Sequence, residues 1–121
     1  MKYGFFDEKE LQSRDGKPSP FQKVVRPELL HLLNRIRKAW GRPIIVNSAY
    51  RSPEHNQAVG GVANSFHVQG LAADIRPERQ EDLADLQDLC LVLNERGGVG
   101  LYDTFVHVDA RGIKARWDNR T

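Results

Sequence analysis

Two spacings of apolar residues organise this chain. Leu29, Leu30, Leu32, Leu33, Ile36 and Trp40 recur every three or four positions, which lines one face of a helix. Pro27 suits the first helical position and Gly41 the stop, so a helix is predicted over 27–40. A second is predicted over 81–96, with Leu83, Leu86, Leu89, Cys90 and Leu93 inward and Gly97-Gly98 after it. Asp82, Asp85 and Asp88 read as its solvated face. Short helices are expected over 8–13 and from Ser52-Pro53-Glu54, where a serine cap precedes a proline; Gly60-Gly61 ends the latter.

Between these segments lie short runs of strand character, at 43–47, 71–75, 99–102, 105–109 and 113–117. Asp103-Thr104 is the expected turn between the third and fourth. Turns are also expected at Arg14-Asp15-Gly16 and Gly112, and a loop over 62–69. Helices and strands do not alternate strictly. That predicts an α+β fold, a small antiparallel sheet with helices packed on one side.

The chain has 121 residues, enough for one modest core and one domain, 1–121. Its net charge of +2 is spread out, with no basic stripe longer than Arg35-Ile36-Arg37-Lys38, so a nucleic-acid partner is not expected. No apolar stretch reaches the ~18 residues of a membrane span. The N-terminus lacks the charged and apolar regions of a signal peptide, so synthesis in the cytoplasm is expected. Cys90, the single cysteine, lies among leucines and reads as a buried thiol. His31 and His55 read as helix-surface residues, and Arg111, Lys114 and Arg116 as a solvated basic strand.

The chemistry concentrates in two stretches. In Phe105-Val106-His107-Val108-Asp109, alternation places Val106 and Val108 on the core face and His107 with Asp109 on the other. In the segment Ser65 to Asp74, Gly70 can adopt positive φ and let the loop bearing His67 turn back toward Asp74 at a strand end. Two histidines and one carboxylate are a common zinc set for hydrolysis, leaving a fourth position for water.

Ser65-x-His67-x-x-Gly70-x-Ala72-x-Asp74 matches a motif in full. It resembles that of the D-alanyl-D-alanine carboxypeptidase group of zinc peptidases, which includes vancomycin-resistance dipeptidases and phage L-alanyl-D-glutamate endolysins and has a hedgehog-like fold. Asn47-Ser48-Ala49-Tyr50-Arg51-Ser52 with Asn56 is similar to the group's S-G-Y-R-S…N segment, with Ala49 in place of glycine. The 105–109 stretch is similar to its last ligand strand, and 6–16, less specifically, to its N-terminal segment.

The resemblance implies Zn2+ held by His67, Asp74 and His107. It implies Arg51 and Ser65 as substrate contacts, with Gln69 lining the same cleft. Peptidoglycan stem peptides are the implied partners of a monomer acting at the bacterial cell wall or periplasm, in a phage-delivered, virion-associated or bacterial setting. The reaction would be peptide hydrolysis by metal-activated water, as a carboxypeptidase or a related endopeptidase. In several members an acidic residue lies three positions before the last histidine; here that position is Thr104. Asp109 and Asp103 are the carboxylates left as candidate catalytic residues, Asp109 as base or as the group that orients His107. The alternative is a catalytically inactive zinc module that binds cell wall or serves as a phage structural component.

Overall fold

The computed structural model describes residues 2–14, 25–61 and 65–121. Asp15 and Gly16 of the expected turn, and 62–64 of the expected loop, lie outside them. A small hairpin, β1 (Lys2–Tyr3) and β2 (Phe6–Asp7), leads into α1 (Glu8–Leu11), which is closed by a capping box between Asp7 and Glu10. α2 (Pro27–Trp40) has the expected bounds, with Pro27 in its first turn. Gly41 ends it at φ 75°, its N–H donating to the Arg37 carbonyl at 3.0 Å.

β3 (Ile44–Ser48) follows, then α3 (Pro53–Ala58), capped by the Ser52 hydroxyl, and β4 (Ala72–Pro77). A 3-10 turn at Gln80–Asp82 leads into α4 (Leu83–Leu93). Three strands complete the chain: β5 (Gly98–Leu101), β6 (Val106–Asp109) and β7 (Ala115–Asp118).

The five longer strands form one sheet in the order β3-β4-β6-β5-β7. The α+β expectation holds, but the sheet is mixed. Three pairings are antiparallel, while β7 runs parallel to β5. β6 is already flanked by β4 and β5, and the chain leaving it adds β7 at the outer edge of β5.

Strand alternation then divides the sheet into two faces. Ile44, Val46, Ala73, Ile75, Val99, Leu101, Val106 and Val108 point into the core. They meet Leu29, Leu32, Leu33 and Ile36 of α2 and Leu86 and Cys90 of α4. The other face carries the polar residues, and the register lines up Ser48, Asp74, His107, Gly100 and Trp117 across all five strands. A neighbouring row holds Ala72, Asp109, Gly98 and Ala115.

Candidate metal centre

His67 sits in the loop before β4. Ser65 starts that loop: its hydroxyl accepts from the His67 N–H at 3.1 Å, and its carbonyl from Val68 N–H at 3.1 Å. Gly70 adopts φ 73°, the positive value expected of it. The loop is laced to the segment after β3. Arg51 N–H donates to the His67 carbonyl at 3.1 Å, and His67 Nδ1 lies 2.7 Å from the Ala49 carbonyl. A carbonyl only accepts, so Nδ1 carries a proton and Nε2 is the ring nitrogen left facing the site. Nε2 faces Asp74 Oδ1 at 3.3 Å.

Asp74 and His107 face each other across β4 and β6, with His107 Nδ1 3.0 Å from the same Oδ1. One ligand atom each from His67, Asp74 and His107 lie within 4.8 Å of one another. The two rings meet edge to face, centroids 5.2 Å apart. An Nε2 lone pair facing a carboxylate oxygen is repulsive unless a proton or a cation lies between them. Two imidazoles and a carboxylate, buried or nearly so, are also the ligand chemistry that zinc takes. The residues therefore fit the group.

The remaining side chains hold these three. His107 Nε2 donates to Asp109 Oδ2 at 2.8 Å, and its ring packs against Trp117, centroids 5.1 Å apart. Gly100 gives the indole its space, since a Cβ there would lie 2.6 Å from Trp117 Cζ2. Trp117 Nε1 is fixed in turn by the Tyr102 hydroxyl at 2.9 Å. Burial opposes the charged form of His107, but hydrogen bonds to Asp109 and Asp74 outweigh it and hold its pKa above the usual 6.5. Burial likewise opposes ionised Asp74, yet hydrogen bonds to His107 and His67 hold its carboxyl well below the usual range.

Asp109 is completely buried and its carboxylate is saturated. Oδ1 accepts from Gly98 N–H at 2.9 Å and Arg111 Nε at 2.8 Å; Oδ2 accepts from Arg111 Nη2 at 2.7 Å as well as from His107. Asp103 is exposed, on the turn between β5 and β6, and accepts from the Thr121 N–H and hydroxyl, both at 3.0 Å. Arg51 lies beside the triad. Nη2 is 3.4 Å from Asp74 Oδ2, Nη1 3.4 Å from Asn56 Oδ1, and Nε 3.2 Å from Ser48 Oγ.

Two basic residues differ from their reading as solvated. Arg111 clamps Asp109, and Arg116 donates to the Gly97 and Asn94 carbonyls at 2.7 and 2.8 Å, tying β7 to the end of α4. Strand character explains neither, because both reach sideways to groups that only the folded chain brings near. The exposed side of His31 and the burial of Cys90 agree with expectation.

A family model of peptidase M15 matches residues 5–109. The chain belongs to the peptidase M15 family. M15 peptidases are zinc-dependent, so this one is a zinc metallopeptidase with peptide substrates. The match covers the triad, Arg51 and Asp109, and stops short of Arg111 and β7. Among curated proteins, none matches the chain. No helix among the described residues is long and apolar enough to cross a membrane.

Proposed function

We propose that this M15 peptidase hydrolyses peptide bonds in peptidoglycan stem peptides, with zinc held by His67, Asp74 and His107. The observation that carries the proposal is the convergence of the two imidazoles on Asp74 Oδ1, beside the arginine of a motif shared with enzymes of that substrate class. Bound zinc supplies a Lewis acid and lowers the pKa of water from ~15.7 toward 7.

The chain's own residues do the rest. Ala49 and Asp109 fix the two imidazoles in the orientation that turns His67 Nε2 and His107 Nδ1 inward. Arg51 grips the substrate's carboxylate or carbonyl. Its three contacts are all 3.2 Å or longer, at the weak end for hydrogen bonds, so a carboxylate can take over its donors as a two-pronged partner. Ser65 shapes the loop through its hydroxyl and borders the same cleft, and a mildly cationic molecule suits an acidic stem peptide.

Asp109 orients His107 and does not exchange protons with substrate, because both its oxygens are buried and occupied. Asp103 is then the carboxylate that carries the proton to the leaving amine. Releasing it means giving up two exposed hydrogen bonds to Thr121, about 0.5–1.5 kcal/mol each.

Digestion of purified peptidoglycan by the zinc-loaded protein, with mass analysis of the fragments, tests this. New amine ends are expected. Asp103→Ala should lower kcat by about 10²–10⁴ without changing zinc affinity. No new amine ends with zinc bound would remove the peptidoglycan reading. One observation favours the second reading, an inactive zinc module bound to cell wall or built into a virion. Thr104 stands where other members carry an acid, and Asp103 is tied to Thr121. Retained wall binding without turnover, in both wild type and Asp103→Ala, would establish that reading.

A further inference from the structure

Arg111 lies just beyond β6, two residues past Asp109, and takes no part in the triad. Its guanidinium is nevertheless fixed by three separate elements. Nε and Nη2 bond the two oxygens of Asp109 at 2.8 and 2.7 Å, the two-pronged geometry that arginine alone provides. Its carbon lies 4.3 Å from the ring centre of Phe66, the residue before His67. On another side it lies 5.4 Å from the ring centre of Trp117, which itself packs on His107. Among the described residues, each hydrogen bond the guanidinium makes goes to Asp109.

We propose that Arg111 is a positioning residue for the zinc centre, acting through Asp109 on the orientation of His107. The inference rests on the reading of His67, Asp74 and His107 as ligands. Asp109 Oδ2 accepts from His107 Nε2 and so turns Nδ1 toward Asp74. Arg111 stops that carboxylate from rotating. Without the guanidinium, the remaining donors to Asp109 are Gly98 N–H at 2.9 Å, the Arg111 backbone N–H at 3.3 Å and His107 itself. Both of those backbone donors sit on Oδ1, and among the described residues Oδ2, the oxygen that steers His107, keeps no second anchor. Phe66 and Trp117 fix the guanidinium plane, so one side chain couples the loop bearing His67 to the strand bearing His107. Groups that orient a metal-bound histidine typically change affinity about 10–100-fold when removed.

Arg111→Gln and Arg111→Lys test the inference, with His67→Ala as a control. Three quantities are read: zinc affinity by chelator competition, the ¹H–¹⁵N signal of His107 Nε2–H in the zinc-loaded protein, and the thermal midpoint of the metal-free protein. The expected result for Arg111→Gln is a loss of zinc affinity of about 10–100-fold, with the ring proton exchanging too fast to be seen. Arg111→Lys keeps the charge but not the fork and should fall between. If Arg111→Gln does not fold, Arg111→Lys decides, with the same two changes at smaller size.

Zinc affinity within twofold of wild type overturns the inference, whatever the thermal midpoint does. A lowered affinity with the ring proton still protected also overturns it, since the effect would not pass through Asp109. His67→Ala separates the two readings. If it binds zinc as wild type does, the ligand assignment itself fails; if it loses zinc while the Arg111 variants do not, only the role of Arg111 fails.

Discussion

Gly98→Ala gives a prediction whose sign, not only its size, tests the packing around Asp109. Gly98 lies in β5 opposite Asp109, and its φ is not in the left-handed region. Alanine is therefore allowed by the backbone. At an ordered strand position such as this one, the first of β5, it should even stabilise the protein, by up to roughly 0.5–1 kcal/mol, because glycine loses more entropy on folding. The contact works in the opposite direction. A Cβ there would lie 2.7 Å from Asp109 Cγ and 2.8 Å from Oδ1, and closer still to Oδ2.

Relief requires the carboxylate to retreat by about 0.7 Å or more to reach ordinary contact. That stretches bonds now at 2.7–2.9 Å, to Arg111, His107 and Gly98, beyond useful hydrogen-bond length. Losing one or two bonds to a charged group, at ~1.5–3 kcal/mol each, outweighs the entropic gain. The net expectation is a loss of about 2–4 kcal/mol in urea unfolding of the metal-free protein, with zinc affinity lowered about 10–100-fold. A variant as stable as wild type, with unchanged zinc affinity, would refute the account of Asp109 as a clamped and clamping group.

Three further outcomes follow from the same structure. Gly100→Ala should push Trp117 off His107 and break its bond to Tyr102, lowering the thermal midpoint and quenching or shifting indole fluorescence; an unchanged spectrum would count against the packing described. Cys90 is fully buried and its thiol is pushed up to about 12 by burial, so it should resist iodoacetamide at pH 8 until the protein is unfolded. The metal-free protein should be most stable in mildly acidic solution, as thermal melts across pH would show. Asp74 and Asp109 have lowered folded pKa values, so their contribution is present above the usual 3.8 and is lost as pH falls through those values. His107 has a raised one, so its contribution is complete below 6.5 and is lost as pH rises through the folded value. Melting that is flat from pH 3 to 9 would refute this.

The parts of the centre legible in the sequence are those governed by local geometry. The φ of Gly70, the Ser52 cap, the Pro27 start with Gly41 stop, and the alternation placing His107 opposite Val106 and Val108 each depend on a few neighbouring residues. The expected bounds of α2 hold for that reason. What was not legible depends on pairing between distant segments. Nothing near Ala49 marks its carbonyl as the partner of His67, because the contact spans 18 residues. Arg111 and Arg116 carry the same side chain five positions apart in a basic stretch, yet one holds a carboxylate and the other a helix end. Only the return of β7 to the far edge of β5 separates the two roles.

Gly100 is the instructive intermediate case. A glycine inside a strand signals close approach by another group, but the sequence does not say which group. The register β6-β5-β7 joins the two signals, setting His107, Gly100 and Trp117 side by side. β4 occupies the other edge of β6, where the register sets Asp74 opposite His107. The support of the centre is thus a consequence of the strand order that also brings its ligands together, which is why substitutions at Gly98, Gly100 and Arg111 are expected to act on zinc from outside the ligand set.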